Sequence, residues 1–115
     1  MLYDHEKALK STEERISRDI PQPNQDLILD YESHCFAQGL KIAWILKQLV
    51  ELKIIAEMLD KDFRDGDTRD ITRLVECIER MDSSDRTKRE YKGVVRRFYR
   101  WLEKYDLVNW MKIPT

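Results

Sequence analysis

The sequence predicts an all-α fold, a four-helix bundle with an additional N-terminal helical segment. Three observations predict it. Apolar residues recur every three or four positions in five separate stretches, the spacing of one helix face. Only three glycines and three prolines interrupt 115 residues, and all but Gly93 fall outside those stretches. No stretch has the alternation of a half-buried strand. At 37% charged and 42% hydrophobic, the chain has the composition of a soluble domain with a single modest core.

The first helix is expected over about Asp4 to Arg18, a polar stretch with Leu9 and Ile16 as its strong core candidates. "IPQPN" breaks it, because two prolines in three residues cannot continue a helix. Asn24 then reads as an N-cap, and Leu27, Ile28, Tyr31, Cys35 and Phe36 follow at helical spacing. Gly39 stands where a left-handed residue closes a helix. The third helix, about Lys41 to Leu59, repeats Ile42, Ile45, Leu49, Leu52, Ala56 and Leu59. Val50, Ile54, Ile55 and Met58 widen that stripe almost to a full circle, which predicts a central position. In "DKDFRDGDTRD", Phe63 reads as a buried anchor and Gly66 as the turn. The fourth helix starts at Thr68 or Asp70 and runs to Arg80, with Ile71, Leu74, Val75 and Ile78 inward. After "MDSSD", one of Ser83, Ser84 or Asp85 caps a fifth helix that runs to about Tyr105.

Charge is unevenly spread along these elements. The formal net charge is −1 overall, yet the stretch 83–104 holds eight basic and three acidic residues. The first 36 residues carry four basic and eight acidic ones. Near-neutrality therefore conceals a polar molecule with a basic end. On a helical wheel, Tyr91, Val94, Val95, Phe98, Trp101, Leu102 and Tyr105 fall in one arc, the expected core face. Arg89, Lys92, Arg96 and Arg100 gather on the opposite side. Arg86, Arg97 and Lys104 flank them on one edge and Lys88 on the other. Asp85, Glu90 and Glu103 are too few to make this row a ladder of ion pairs. A solvated face is the plain reading of such charges; a phosphate-binding surface is the sharper one, and a helix has the width to enter a DNA major groove. On the third helix, Lys41, Trp44, Lys47 and Gln48 share the less apolar side near the N-terminus, where an aromatic beside two lysines suits a sugar–phosphate backbone.

The sequence speaks against several other classes. His5 and His34 lie in different segments without a partner at metal-ligand spacing, so no metal or cofactor is expected. No glycine-rich phosphate loop, nucleophile elbow or zinc-protease motif occurs, and no pair of groups suits general acid–base work. The chain is not expected to be an enzyme, and no catalytic residue is assigned. "DFRDGDTRD" lacks the alternating ligands and closing glutamate of a calcium loop. Cys35 and Cys77 are expected as reduced, half-buried thiols. Without a membrane span or a leader pattern, a cytoplasmic location off the membrane is expected.

The "QGLK" turn into an apolar helix, followed by "LDKDFRDGDTRDITRLVECIERMDSSDRTKREYKGVVRRFYRWL", resembles the N-terminal, SAM-like core-binding domain of tyrosine recombinases of the phage-integrase family, in its archaeal style. "KDF" before an acidic helix start, "S-x-x-T-K-x-x-Y", "RRFYRWL" and the tail "VNWMKI" carry the resemblance in order. It covers the chain from about Gln25. It implies a SAM-like domain over residues 24–105, an N-terminal extension over 1–23 and, over 106–115, the start of a linker to a catalytic domain. That domain, which carries the cleaving tyrosine in the family, would begin just where this chain ends. The implied partners are double-stranded DNA, the catalytic domain of the same parent protein, and further protomers on the DNA. Strand cleavage by this chain alone is not implied. The implied DNA contacts lie on the helices beginning near Lys41 and near Arg86, and Thr87, Lys88, Arg89, Lys92 and Arg96 match the contacting end of the last helix. The third helix departs from the family, which often has Ser, Thr or Arg where this chain has Leu40, Lys41 and Trp44. A module of a different class fits the same basic row: a helical protein-interaction domain that docks an acidic partner.

Overall fold

The computed structural model of the protein describes residues 4–113; the ends of the segments expected as an N-terminal extension and a linker lie outside them. The fold is all-α. Among the described residues five α-helices follow one another: α1 (His5–Asp19), α2 (Asn24–Ala37), α3 (Ile42–Leu59), α4 (Thr68–Glu79) and α5 (Asp85–Trp101). Short 3-10 turns cover Phe63–Asp65 and Tyr105–Leu107. No strand occurs among the described residues. The chain divides into two compact units between Ile54 and Ile55, within α3.

In the first unit, α1 opens on Asp4, whose carboxylate accepts from the Lys7 N–H at 3.0 Å. Leu9 and Ile16 are buried as the sequence predicts, and Thr12 joins them by returning its hydroxyl to the Ala8 carbonyl at 2.9 Å. The Gln25 amide donates to the carbonyls of Ser17 and Ile20, fastening the start of α2 to the end of α1. At the same end the Asp19 carboxylate takes Arg18 at 2.7 Å and Lys53 at 3.2 Å. Those two donors hold it well below the usual carboxylate range.

Two expectations for α2 change. Asn24 is the first helical residue, buried, and Pro23 occupies the cap position after a cis Gln22–Pro23 bond. Phe36 is 42% exposed, because it stands about 100° round the helix from buried Cys35. Gly39 behaves as expected. Its φ is +78°, its N–H reaches the Phe36 carbonyl and the Leu40 N–H reaches that of Cys35, which satisfies the last carbonyls of α2. A Cβ at Gly39 would meet nothing within 4 Å, so the backbone angle alone calls for glycine.

Glu32 of α2 is buried, and Glu13 of α1 faces it. Burial first, then the hydrogen bond and charge of Glu13, push the Glu32 carboxyl up to about 8 from its ordinary 4.5. Between those two pH values the folded chain holds a proton that the unfolded chain has released. Stability from this group therefore falls as pH rises through the window, and the effect vanishes below it. Glu32→Gln is expected to raise stability by about 1–2 kcal/mol at pH 8 and by much less at pH 5. Urea unfolding at the two pH values checks both the sign and the window.

α3 buries Ile45, Leu49, Leu52, Ile55 and Ala56, while Val50 is 42% exposed. The stripe is thus narrower than the full circle its composition suggests. Gln48 and Glu51 are buried too. Gln48 lies three residues from Ile45 and four from Leu52, on the buried side rather than the outer side expected of it.

In the second unit, the 3-10 turn drives Phe63 into a cluster with Phe98 and Tyr99 at ring separations of 4.6 and 6.1 Å. The Tyr99 hydroxyl donates to the Phe63 carbonyl at 2.9 Å, and burial holds that phenol well above its ordinary range. Gly66 serves this cluster by closeness rather than by a turn angle. It is extended, and a Cβ there would stand 3.1 Å from the Tyr99 hydroxyl. α4 begins with a reciprocal cap between Asp67 and Asp70, whose carboxylate also takes Lys61 at 2.9 Å. Ile71, Leu74 and Ile78 face inward, and Val75 is half-buried. Of the two thiols, Cys35 is buried rather than half-buried and Cys77 is exposed, and neither is in a disulfide.

α5 ends four residues short of the expected Tyr105. Leu102 is its cap, and Glu103 follows at φ +61°. The N–H groups of Glu103 and Lys104 return to the carbonyls of Arg100 and Tyr99. This is the closing turn seen at Gly39, made here with a residue whose Cβ opposes it. Glu103→Gly is accordingly expected to stabilise the protein by about 1 kcal/mol, read as a raised Tm.

Candidate nucleic-acid interface

Ser84 opens α5, its hydroxyl oxygen accepting from the Thr87 N–H at 3.2 Å and bonding the Thr87 hydroxyl at 3.1 Å. The side chain of Thr87, which the resemblance places among DNA contacts, is thereby committed to the cap. The buried residues of the helix are Tyr91, Lys92, Val94, Val95, Phe98 and Tyr99. Relative to the wheel expectation the inward stripe is rotated toward Tyr99. Trp101 is only half-buried, and Tyr105, beyond the end of the helix, is 48% exposed.

That rotation sorts the basic row. Lys92 is 9% exposed, and its ammonium pairs with Glu79 of α4 at 3.0 Å. It was expected at the centre of the open side; its aliphatic stem instead extends the core and its charge is matched. Arg96 is half-buried, and its guanidinium donates to the Met111 carbonyl. Lys88 and Lys104 are half-buried. What remains outward is an arginine face: Arg86, Arg97 and Arg100 are exposed, and Arg89 is half-exposed between them.

Gly93 leaves bare backbone in the middle of this face. A Cβ there would stand 3.2 Å from a terminal nitrogen of Arg97, so the Arg97 guanidinium lies back across the helix. The acidic member of the face is Glu90, 3.5 Å from Arg86, whose side chain is 82% exposed. Such an exposed pair is worth at most about 1 kcal/mol and exchanges readily for a phosphate. Arg86 to Arg100 spans about 21 Å along the axis at the helical rise, the length of about six base-pair steps. The outward groups are guanidiniums, which fit phosphate oxygens two at a time.

In the first unit, Lys41 and Lys47 are exposed and Trp44 is half-buried. Lys41 stands just before α3, and Gln48 and Glu51, four residues on from Trp44 and Lys47, are buried. The sequence reading missed the segment after α5. Asn109 Oδ1 accepts from Arg100 at 3.3 Å, the neighbouring Met111 carbonyl accepts from Arg96, and Trp110 stands between them, 44% exposed. No periodicity marks residues 109–111, whose single aromatic is Trp110.

Among the described residues no group of three or more His, Cys, Asp or Glu could hold a metal ion, and no helix is long and apolar enough to cross a membrane. An open cavity of about 320 Å³ lies between Gly66 and residues 103–107. Comparison of the chain with protein-family models, curated proteins and solved structures found no match.

Proposed function

We propose that this chain is a helical DNA-binding module that grips duplex phosphates with the outward arginines of α5. The observation that carries the reading is the face formed by Arg86, Arg89, Arg97 and Arg100, with Glu90 as its acidic member. Its arginines are long and outward, Arg86 and Arg100 meeting Glu90 and Asn109 at the surface, whereas Lys92 and Arg96 are spent on less exposed partners. Affinity would come mainly from counterion release and would not depend strongly on sequence.

The family resemblance supports a narrower version of the same reading, the core-binding part of a site-specific tyrosine recombinase acting in DNA integration, with cleavage left to a catalytic domain. Tyr31, Tyr91 and Tyr99 are buried, a poor setting for a nucleophile that must reach a phosphodiester. Lys88 stays near the start of the basic face, half-buried, and Lys41, Trp44 and Lys47 remain candidates for a second set of backbone contacts.

Fluorescence anisotropy with a random-sequence duplex of 30 base pairs, titrated over several salt concentrations, tests the reading. Binding whose logarithm falls linearly with log salt, with a slope of about −3 to −4 for four phosphate contacts, is the expected result. A folded chain that fails to bind at low salt would turn the arginine face into a dock for an acidic protein.

A further inference from the structure

The segment that follows α5 doubles back along its arginine side. Val108 and Met111 are buried and act as pins, while Asn109 and Trp110 between them point outward. Asn109 meets Arg100 and the Met111 carbonyl meets Arg96, one helical turn apart. Residues 109–111 therefore run antiparallel to α5, with Trp110 between the two anchored arginines. The indole N–H donates to the Leu107 carbonyl at 2.7 Å. That bond uses the ring's single polar group and fixes its orientation, while the residue stays 44% exposed.

We infer that Trp110 is a stacking platform for an unpaired nucleobase of DNA whose adjoining duplex lies on the α5 arginines; the inference rests on the proposed function and adds a second ligand feature to it. Paired bases inside a duplex have their faces covered by their neighbours, so only an unpaired or terminal base can use an exposed ring. A ring held beforehand by a hydrogen bond loses little freedom on stacking. A lipid surface fits this setting less well. Trp110 follows Asn109, Lys112 stands two residues on, and Glu103 and Asp106 lie exposed seven and four residues before it, whereas interfacial binding needs a continuous apolar face.

The test uses a 20-base-pair hairpin duplex, blunt or carrying a three-nucleotide 3′ thymidine overhang, and the same overhang built from abasic units. The abasic version keeps the phosphates and removes the stacking faces. The wild-type chain is expected to bind the thymidine overhang about 10-fold more tightly than the abasic one, the worth of a single aromatic stack. Trp110→Ala should lose that preference while keeping its affinity for the blunt hairpin and its salt slope. Trp110→Phe should retain much of the preference, and the tryptophan quenching that accompanies overhang binding should disappear with the indole. Equal affinity for the two overhangs, or a preference that survives in a folded Trp110→Ala protein, overturns this inference and leaves the duplex reading standing. Failure to bind any of the three overturns both. Binding to phosphatidylcholine–phosphatidylserine vesicles that depends on Trp110, without any overhang preference, overturns it in favour of a membrane contact.

Discussion

The double variant Arg86→Glu/Arg97→Glu is expected to bind duplex DNA about 100-fold more weakly than the wild type at 0.1 M salt, with a salt slope shallower by about two. Both residues are exposed, and the Arg86–Glu90 pair is at the surface. The loss combines two absent phosphate contacts with the repulsion from two new carboxylates, and salt should blunt both. The sequence alone points to Arg89 and Arg96 for such a reversal. In the structure Arg96 donates to the Met111 carbonyl from a half-buried position, so its reversal would confound binding with loss of the segment that follows α5. The corresponding control is Lys92→Met. It removes a basic residue of the expected row but should leave the salt slope unchanged, since its ammonium already serves Glu79.

Phe63→Ala is expected to destabilise the protein by about 3–5 kcal/mol, the range for emptying a fully buried aromatic site. Phe63 is 0% exposed and packs against Phe98 and Tyr99. Its carbonyl is also the acceptor for the buried Tyr99 hydroxyl, so a shifted backbone at this turn adds an unsatisfied donor to the cavity. Tyr99→Phe isolates that second contribution, about 1–2 kcal/mol with the ring packing kept. Chemical denaturation of the two variants measures both, and a Phe63→Ala cost below that of Tyr99→Phe would mean that Phe63 does not anchor the second unit.

The helices themselves were legible because their apolar spacing leaves little choice. Leu9 and Ile16, Leu27 to Cys35, Ile71 to Ile78 and the anchor Phe63 can all be placed from the sequence. So can the left-handed turn at Gly39 and a serine cap before Asp85. The rotation of α5 was not legible. Tyr99 lies outside the core arc of the wheel, yet it turns inward beside Tyr91, and its hydroxyl finds the Phe63 carbonyl there. Lys92 follows from that rotation, since a lysine stem at the edge of a stripe can be buried when a carboxylate such as Glu79 waits at its tip. The early end of α5 carried no glycine to announce it, because Glu103 takes the left-handed position. Trp110 was hidden for a related reason: its place beside the arginines depends on a chain reversal that no periodic pattern records.

The most direct test of the central claim is an NMR titration that follows the arginine side-chain Nε–H resonances as duplex DNA is added to the full chain. The account predicts that Arg86, Arg89, Arg97 and Arg100 shift together, while Arg64, Arg73 and Arg80 outside this face stay in place. Shifts centred on those latter arginines, or none at all on α5 at saturating duplex, would contradict it.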